Sequence, residues 1–134
     1  MSATLDIRTH VKISERLVGR PLEVTAGERA VVELVATAEM EADALGLTHG
    51  GFTFGLADYA AMLAVNHPNV VLGSAQTRFI APVKTGDTMR AEATVTNVDG
   101  KKSEVNVEVK VGERKVFTGT FQCYSLEKHV LEKS

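Results

Sequence analysis

Cysteine is almost missing from this chain of 134 residues: Cys123 stands alone. An internal disulfide is therefore excluded, and a reducing cytoplasm is the expected compartment. Long hydrophobic runs are missing too. No stretch approaches the ~20 apolar residues that cross a bilayer, so no membrane partner is expected. Residues 1–10 carry charges and no apolar core, so no signal peptide is expected. The formal net charge is −2, without the basic excess that non-specific nucleic-acid binding needs. There is no G-x-S-x-G elbow and no glycine-rich phosphate loop. His10, His49, His67 and His129 are scattered without zinc-ligand spacing, and neither a metal nor a cofactor is expected.

Hydrophobic residues make up 44% and charged residues 24%, ordinary values for a globular protein. The length fits one domain over residues 1–134 with a real core. The chain is organised around residues 48–66. From Phe52 to Val65 nearly every position is apolar or small, and a helix that is apolar all round is normally buried in the middle of a fold. His49-Gly50-Gly51 marks its start, and Asn66-His67-Pro68 its end, since Pro68 disfavours helical geometry just before it. One ionisable acid, Asp58, sits inside this cylinder. An acid there is costly unless it is paired, hydrogen-bonded or used.

The flanking segments read as strands. Residues 1–19 form an N-terminal extension whose apolar positions suit a strand or a short helix; the reading adopted is a helix ending near Gly19. Residues 22–40 are β-rich, broken at Gly27. Residues 70–80 form a strand with Ser74, Gln76 and Arg78 on one side. Met89, Ala91, Ala93 and Val95 alternate with polar neighbours, as do Val105, Val107, Val109 and Val111. Asp99-Gly100 and Gly112-Glu113 read as tight turns. Phe117, Phe121 and Cys123 share a face of a last strand, and residues 126–134 form a polar tail expected to fray. A sheet with one apolar face must be covered. Only the central segment is apolar enough, so the fold class is α+β, a curved antiparallel sheet around one long helix.

His49-Gly50-Gly51 followed by Leu56-Ala57-Asp58-Tyr59-Ala60, with Phe79-Ile80-Ala81-Pro82 and then Gly86-Asp87-Thr88-Met89, resembles the PaaI-like hotdog-fold acyl-CoA thioesterases. The resemblance implies the hotdog fold, a homodimer that usually pairs into a homotetramer, and metal-free hydrolysis of acyl-CoA thioesters, coenzyme A being part of the substrate. It implies that the Gly51 amide polarises the carbonyl. One departure stands out: where the family often has Asn, six residues before the motif histidine, this chain has Asp43, which alters how water or thioester is held.

Coenzyme A thiolate leaves readily, so one acid–base residue suffices. Asp58 is the candidate, as general base or as nucleophile forming an anhydride. By residue type alone it equally suits a structural hydrogen bond that holds a dimer. Gly50 and Gly51 open the helix, where unpaired amides and the positive dipole end suit an oxyanion; they equally suit a plain turn. His49 orients the entry loop, contacts the thioester region, or merely packs. Ser74 and Gln76 are candidates for holding water, and Arg78, Lys84, Arg90, Lys101 and Lys102 for meeting coenzyme A phosphates. Along the chain, Gly51 and Asp58 are about 10 Å apart at ~1.5 Å per residue, too far for one carbonyl to touch both on one helix. Two antiparallel copies would bring Asp58 of one beside Gly51 of the other. The alternative is a non-catalytic acyl-CoA-binding or regulatory hotdog protein; such sensors usually lose the helix acid and carry a DNA-binding segment. A hotdog hydratase would need a His/Asp motif that is not found.

Overall fold

The computed structural model describes residues 5–132, so residues 1–4 of the expected extension and 133–134 of the expected tail lie outside them. The elements are α1 (Glu15–Val18), β1 (Arg20–Thr25), β2 (Arg29–Val35), a 3-10 turn (Ala38–Met40), α2 (Gly50–Val65), β3 (Val70–Phe79), β4 (Thr88–Asp99), β5 (Lys102–Val111) and β6 (Arg114–Ser125). The six strands form one sheet in the order β1-β2-β4-β5-β6-β3, with every neighbouring pair antiparallel. α2 lies across the sheet, chiefly over β4 and β2. This is the hotdog fold.

Period-two patterning produces the face that α2 covers. Met89, Ala91 and Ala93 of β4, Val105, Val107 and Val109 of β5, and Phe117, Phe121 and Cys123 of β6 are all buried. Cross-strand registry aligns them, with Ala93 opposite Val107, Ala91 opposite Val109 and Val105 opposite Phe121. From above they meet Leu56, Ala60, Met62 and Leu63, each wholly buried. Complete burial of one such large side chain is worth about 1.5–3 kcal/mol, so the helix is held by packing rather than by its glycine-containing sequence.

The end of α2 falls where expected, at Asn66, but for a different reason. Asn66, not Pro68, stops it: Asn66 is left-handed (φ 54°, ψ 37°) and its amide donates to the Met62 carbonyl at 2.7 Å. Asparagine tolerates this conformation better than other side-chain-bearing residues. Its carboxamide then accepts from the Arg8 amide at 2.8 Å and donates to the Asp6 carbonyl at 2.7 Å. One residue thus ends the helix and ties the N-terminal segment to it. The β1–β2 turn docks on the same end, where the Gly27 amide donates to the Ala64 carbonyl at 2.8 Å.

Two smaller differences follow from geometry. The β4–β5 hairpin turns at Gly100-Lys101 rather than Asp99-Gly100, because Asp99 pairs with Lys102 and Gly100 has φ 61°. A positive φ at the first loop residue alone is the pattern of a type II′ turn. Gly112-Glu113 turns as expected, with Val111 paired to Arg114. The β-rich reading of 22–40 ends early: β2 stops at Val35, and Ala38–Met40 is a 3-10 turn.

β3 forms an open edge of the sheet. Among the described residues it pairs only with β6, with a bulge between Leu72 and Ser74, and its end leaves Phe79 and Ile80 half-exposed. A ten-residue unpaired edge is a template for another strand.

Candidate active site

α2 is not buried on every side. Gly51, Phe54, Gly55 and Asp58, spaced by three and four residues, form one strip that is exposed or half-buried, while Leu56, Ala57 and Ala60 through Ala64 are buried. The strip looks toward the β6–β3 end of the sheet: the Phe54 ring packs on Phe121 with centroids 5.6 Å apart, and Phe121 pairs with Ala75 of β3.

Asp58 lies one turn beyond Phe54. Its Oδ1 is enclosed and has no hydrogen-bond partner among the described residues. Burial pushes the carboxyl up from 3.8 to about 6. Among the described residues no cation pairs with it and no donor reaches its Oδ1. An enclosed polar atom without a partner costs about 1–3 kcal/mol.

At the start of α2, the Gly50 and Gly51 amides find no acceptor among the described residues, and His49 supplies no side-chain cap. The His49 ring lies over Gly51: a β-carbon placed there would stand 2.9 Å from two of its atoms. Glycine at 51 is what admits the imidazole, which also meets Phe52 edge-on with centroids 6.2 Å apart. Gly50 is covered by Phe79, whose ring would be 3.2 Å from a β-carbon at 50. An apolar recess of about 370 Å³ opens here, bordered by Leu47, Thr48, Gly50, Phe79, Ile80 and Pro82.

The remaining candidates are placed apart. Asp43 is exposed in the loop leading into α2, where its Oδ1 accepts from the Leu45 amide at 2.9 Å and the Leu47 amide at 3.2 Å. That is a loop-shaping role. Ser74 and Gln76 lie on the sheet face turned away from α2: they pair with Gln122 and Thr120, which alternate with the buried Phe121 and Cys123. Within the chain they do not join Asp58. The large, open recess on that outer face, about 760 Å³, includes Gln76, Thr94, Asn106 and Thr120. Its carboxylates are paired, Glu92 with Arg29 and Arg90, Glu108 with Lys110 and Lys115. Arg90 and Lys101 are engaged by Glu92 and Glu127, whereas Arg78, Lys84 and Lys102 have no ion-pair partner among the described residues.

Sequence reasoning missed Cys123 as a neighbour of the site. It is wholly buried on the inner face of β6, and burial, then the Asp58 charge, push its thiol up to about 12. The signal was present in the alternation of 117, 121 and 123, but nothing local tied it to residue 58. Cys123 should resist iodoacetamide at pH 8 in the folded protein and react at once in urea, since the thiolate is the reactive form. Mass spectrometry of the timed reaction checks this; rapid labelling of the folded chain would contradict the placement.

Among the described residues no three His, Cys, Asp or Glu side chains are grouped as a metal ion would require, and no helix is long and apolar enough to cross a membrane.

Known proteins share this shape. The structure resembles the Pyrococcus horikoshii protein PH1136 at 53% identity and TM-score 0.93, over 98% of this chain and 100% of the other. It also resembles a mutant of the phenylacetic acid degradation protein PaaI from Thermus thermophilus, at 30% identity and TM-score 0.76, over 84% and 96%. Among curated relatives, the chain is 51% identical to part of an Aquifex aeolicus methylthioribose-1-phosphate isomerase, matching over 87% of this chain and 25% of that protein. It is 29% identical to the transcription factor FapR of Caldanaerobacter subterraneus, over 90% of this chain and 60% of FapR. The chain thus spans between a quarter and three fifths of the length of these two curated relatives. The family model of the thioesterase superfamily matches residues 45–118, which contain α2 with its glycines and its acid, and with them this chain belongs to the thioesterase superfamily as a PaaI-like hotdog protein.

Proposed function

We propose that this protein hydrolyses acyl-CoA thioesters to a free acid and coenzyme A. The observation that carries this reading is Asp58: a half-buried carboxyl whose Oδ1 has no partner among the described residues, on the accessible strip of an otherwise apolar helix. In this reading the Asp58 carboxylate takes a proton from water as the water oxygen adds to the thioester carbon and the C–S bond breaks, or attacks that carbon directly, giving an anhydride that water then hydrolyses; either way coenzyme A leaves as thiolate and is protonated. The Gly51 amide, with Gly50 beside it, hydrogen-bonds the carbonyl oxygen as it gains charge. Such donors are worth about 2.7–4 kcal/mol each in comparable sites. His49 holds the entry against Gly51, and Asp43 shapes the loop. Ser74 and Gln76, on the far face, bind substrate only if a second copy brings them near. The recess bordered by Phe79 and Ile80 lies beside Gly50 and takes the acyl portion; its size is at the lower end of the ~300–1,000 Å³ of small-molecule sites. A second copy completes the site: the exposed β3 edge pairs across a twofold axis, giving a homodimer at least and a tetramer by analogy with the family. No metal or cofactor enters the reaction.

The similarity to FapR, named as a transcription factor, supports a second reading, binding of an acyl-CoA without turnover. A panel of acyl- and aryl-CoA substrates with free-thiol detection separates the two. Steady thiol release that survives EDTA is expected. Tight binding without release supports the second reading, and activity lost to EDTA and restored by one divalent ion contradicts the metal-free mechanism.

A further inference from the structure

At the C-terminal end of α2, segments from both ends of the chain border a cleft that the proposed reaction does not use. Its volume is about 310 Å³, just inside the ~300–1,000 Å³ of small-molecule sites. Three segments distant in sequence build it, and each is pinned. Asn66 holds the N-terminal segment through the Arg8 amide. The Asn69 carboxamide donates to the Leu126 carbonyl at 3.2 Å and ties the C-terminal segment to the link between α2 and β3. The cleft is therefore formed before any ligand arrives. Pro68, Val70, Val71 and Val130 give it apolar walls. Buried Thr9 and the rings of His10 and His129 add polar groups, and no carboxylate borders it. Val11 and Leu131, close in sequence to those two histidines, are large apolar side chains left exposed.

The hydrogen bonds of the two imidazoles decide what the cleft takes. The Leu131 amide donates to His129 Nδ1 at 3.0 Å. That nitrogen is therefore an acceptor, and the ring carries its proton on Nε2. His10 Nδ1 is engaged too, by the Thr9 hydroxyl at 2.8 Å; with the hydroxyl donating, this ring also keeps its proton on Nε2. Neither Nε2 has a partner among the described residues. A ring held in this form donates and has no lone pair at Nε2 for a metal ion, and no third His, Cys, Asp or Glu side chain joins the pair. Two free N–H donors among apolar walls, with no carboxylate to repel it, suit an anion with an apolar body. We propose that this cleft binds a small apolar carboxylic acid, its carboxylate on the Nε2–H groups of His10 and His129 and its apolar body against Val70, Val71 and Val130. Free acids are what the proposed thioesterase releases, so the site rests on that reading for the source of its ligand but not for the binding. The His10 ring also packs on Tyr59, with centroids 6.1 Å apart, so the cleft adjoins the neighbour of Asp58 in α2.

The test uses the full chain with isotope-labelled histidine rings, followed by NMR, and benzoate as the probe. Benzoate is expected to bind at millimolar concentration or below and to shift the Nε2 signals of both His10 and His129. Benzyl alcohol, with the same ring and no charge, should bind about tenfold more weakly or worse, the scale of hydrogen bonds to a charged group. His129→Ala changes an exposed residue. His10→Asn suits the left-handed backbone at that position, φ 54°. Each should weaken benzoate about tenfold or more, with circular dichroism reporting an unchanged fold. No shift of either ring would overturn the site. So would benzoate shifts confined to the recess around Gly50 and Phe79 and unaltered in both variants, or zinc ion taking the two rings more tightly than benzoate does. A wild-type chain that releases no thiol from any acyl-CoA would sink the thioesterase reading instead, and the benzoate titration, which needs no turnover, would still decide the site.

Discussion

Asp58→Asn is expected to reduce kcat on an acyl-CoA substrate by at least about 100-fold, the lower range of a general-base contribution, and to leave a folded protein that still binds the substrate. The amide keeps the size of the side chain and removes both basicity and nucleophilicity. The pH profile follows from the same environment. The carboxylate is the reactive form and its pKa is held at about 6, so kcat/KM should be flat above that pH and fall about tenfold per unit below it. The stability effect has the opposite sign. The folded-state pKa is raised above 3.8, so the ionised form is disfavoured by folding. That cost is fully present above about pH 6 and disappears as pH falls toward 3.8. It is at most about 3 kcal/mol for this half-buried group. Asp58→Asn should therefore melt higher than wild type at pH 8, with the difference shrinking toward pH 5. Calorimetry and thiol-release kinetics on one preparation decide the matter. Normal kcat with a lowered Tm would make Asp58 a structural acid and remove the residue on which the proposed chemistry depends.

Gly19→Ala is expected to be among the most destabilising single substitutions in the chain, although it adds one methyl group far from Asp58 in sequence. Gly19 has φ 135° and ψ 160°, a region essentially reserved for glycine and costing about 1–3 kcal/mol for other residues. The added β-carbon would stand 2.7 Å from Val32 Cγ1, 3.0 Å from Leu56 Cδ1 and 3.3 Å from the Glu33 carbonyl. Val32 and Leu56 are both wholly buried, so neither can yield cheaply, and overpacking adds about 1–3 kcal/mol. The combined loss is about 2–6 kcal/mol, a fall in Tm on the order of 10 °C or more. Gly27→Ala is the control: Gly27 also has a positive φ, 76°, but nothing lies within 4 Å of its β-carbon. It should lose only the backbone share. Equal losses in the two variants would show that packing against Val32 and Leu56 is not the cause.

The strands of this protein were legible because their signals are local. Alternation at Met89, Ala91 and Ala93 and at Val105, Val107 and Val109 needs only the period of a pleated chain, and Gly112-Glu113 needs only a turn. The apolar run to Val65 required a buried helix, and the order of His49-Gly50-Gly51 and Asp58 pointed to the fold and to the acid without any tertiary information. What lay beyond the sequence depends on residues far apart in the chain. The sheet order sets β3 against β6 rather than against β4, its successor, and so leaves the β3 edge open. Registry with β6 then turns Ser74 and Gln76 away from α2, a choice that alternation by itself leaves undecided, because either face of a mixed strand can be the inner one. Asn66 ends the helix ahead of Pro68 because its carboxamide finds Asp6 and Arg8, nearly sixty residues earlier. Cys123 becomes a neighbour of Asp58, and the Asp58 oxygen is left without a partner, only when β6 and α2 are packed together. Burial and desolvation belong to the assembled environment, so the residue type could be read from the chain, and its altered acidity only from the fold.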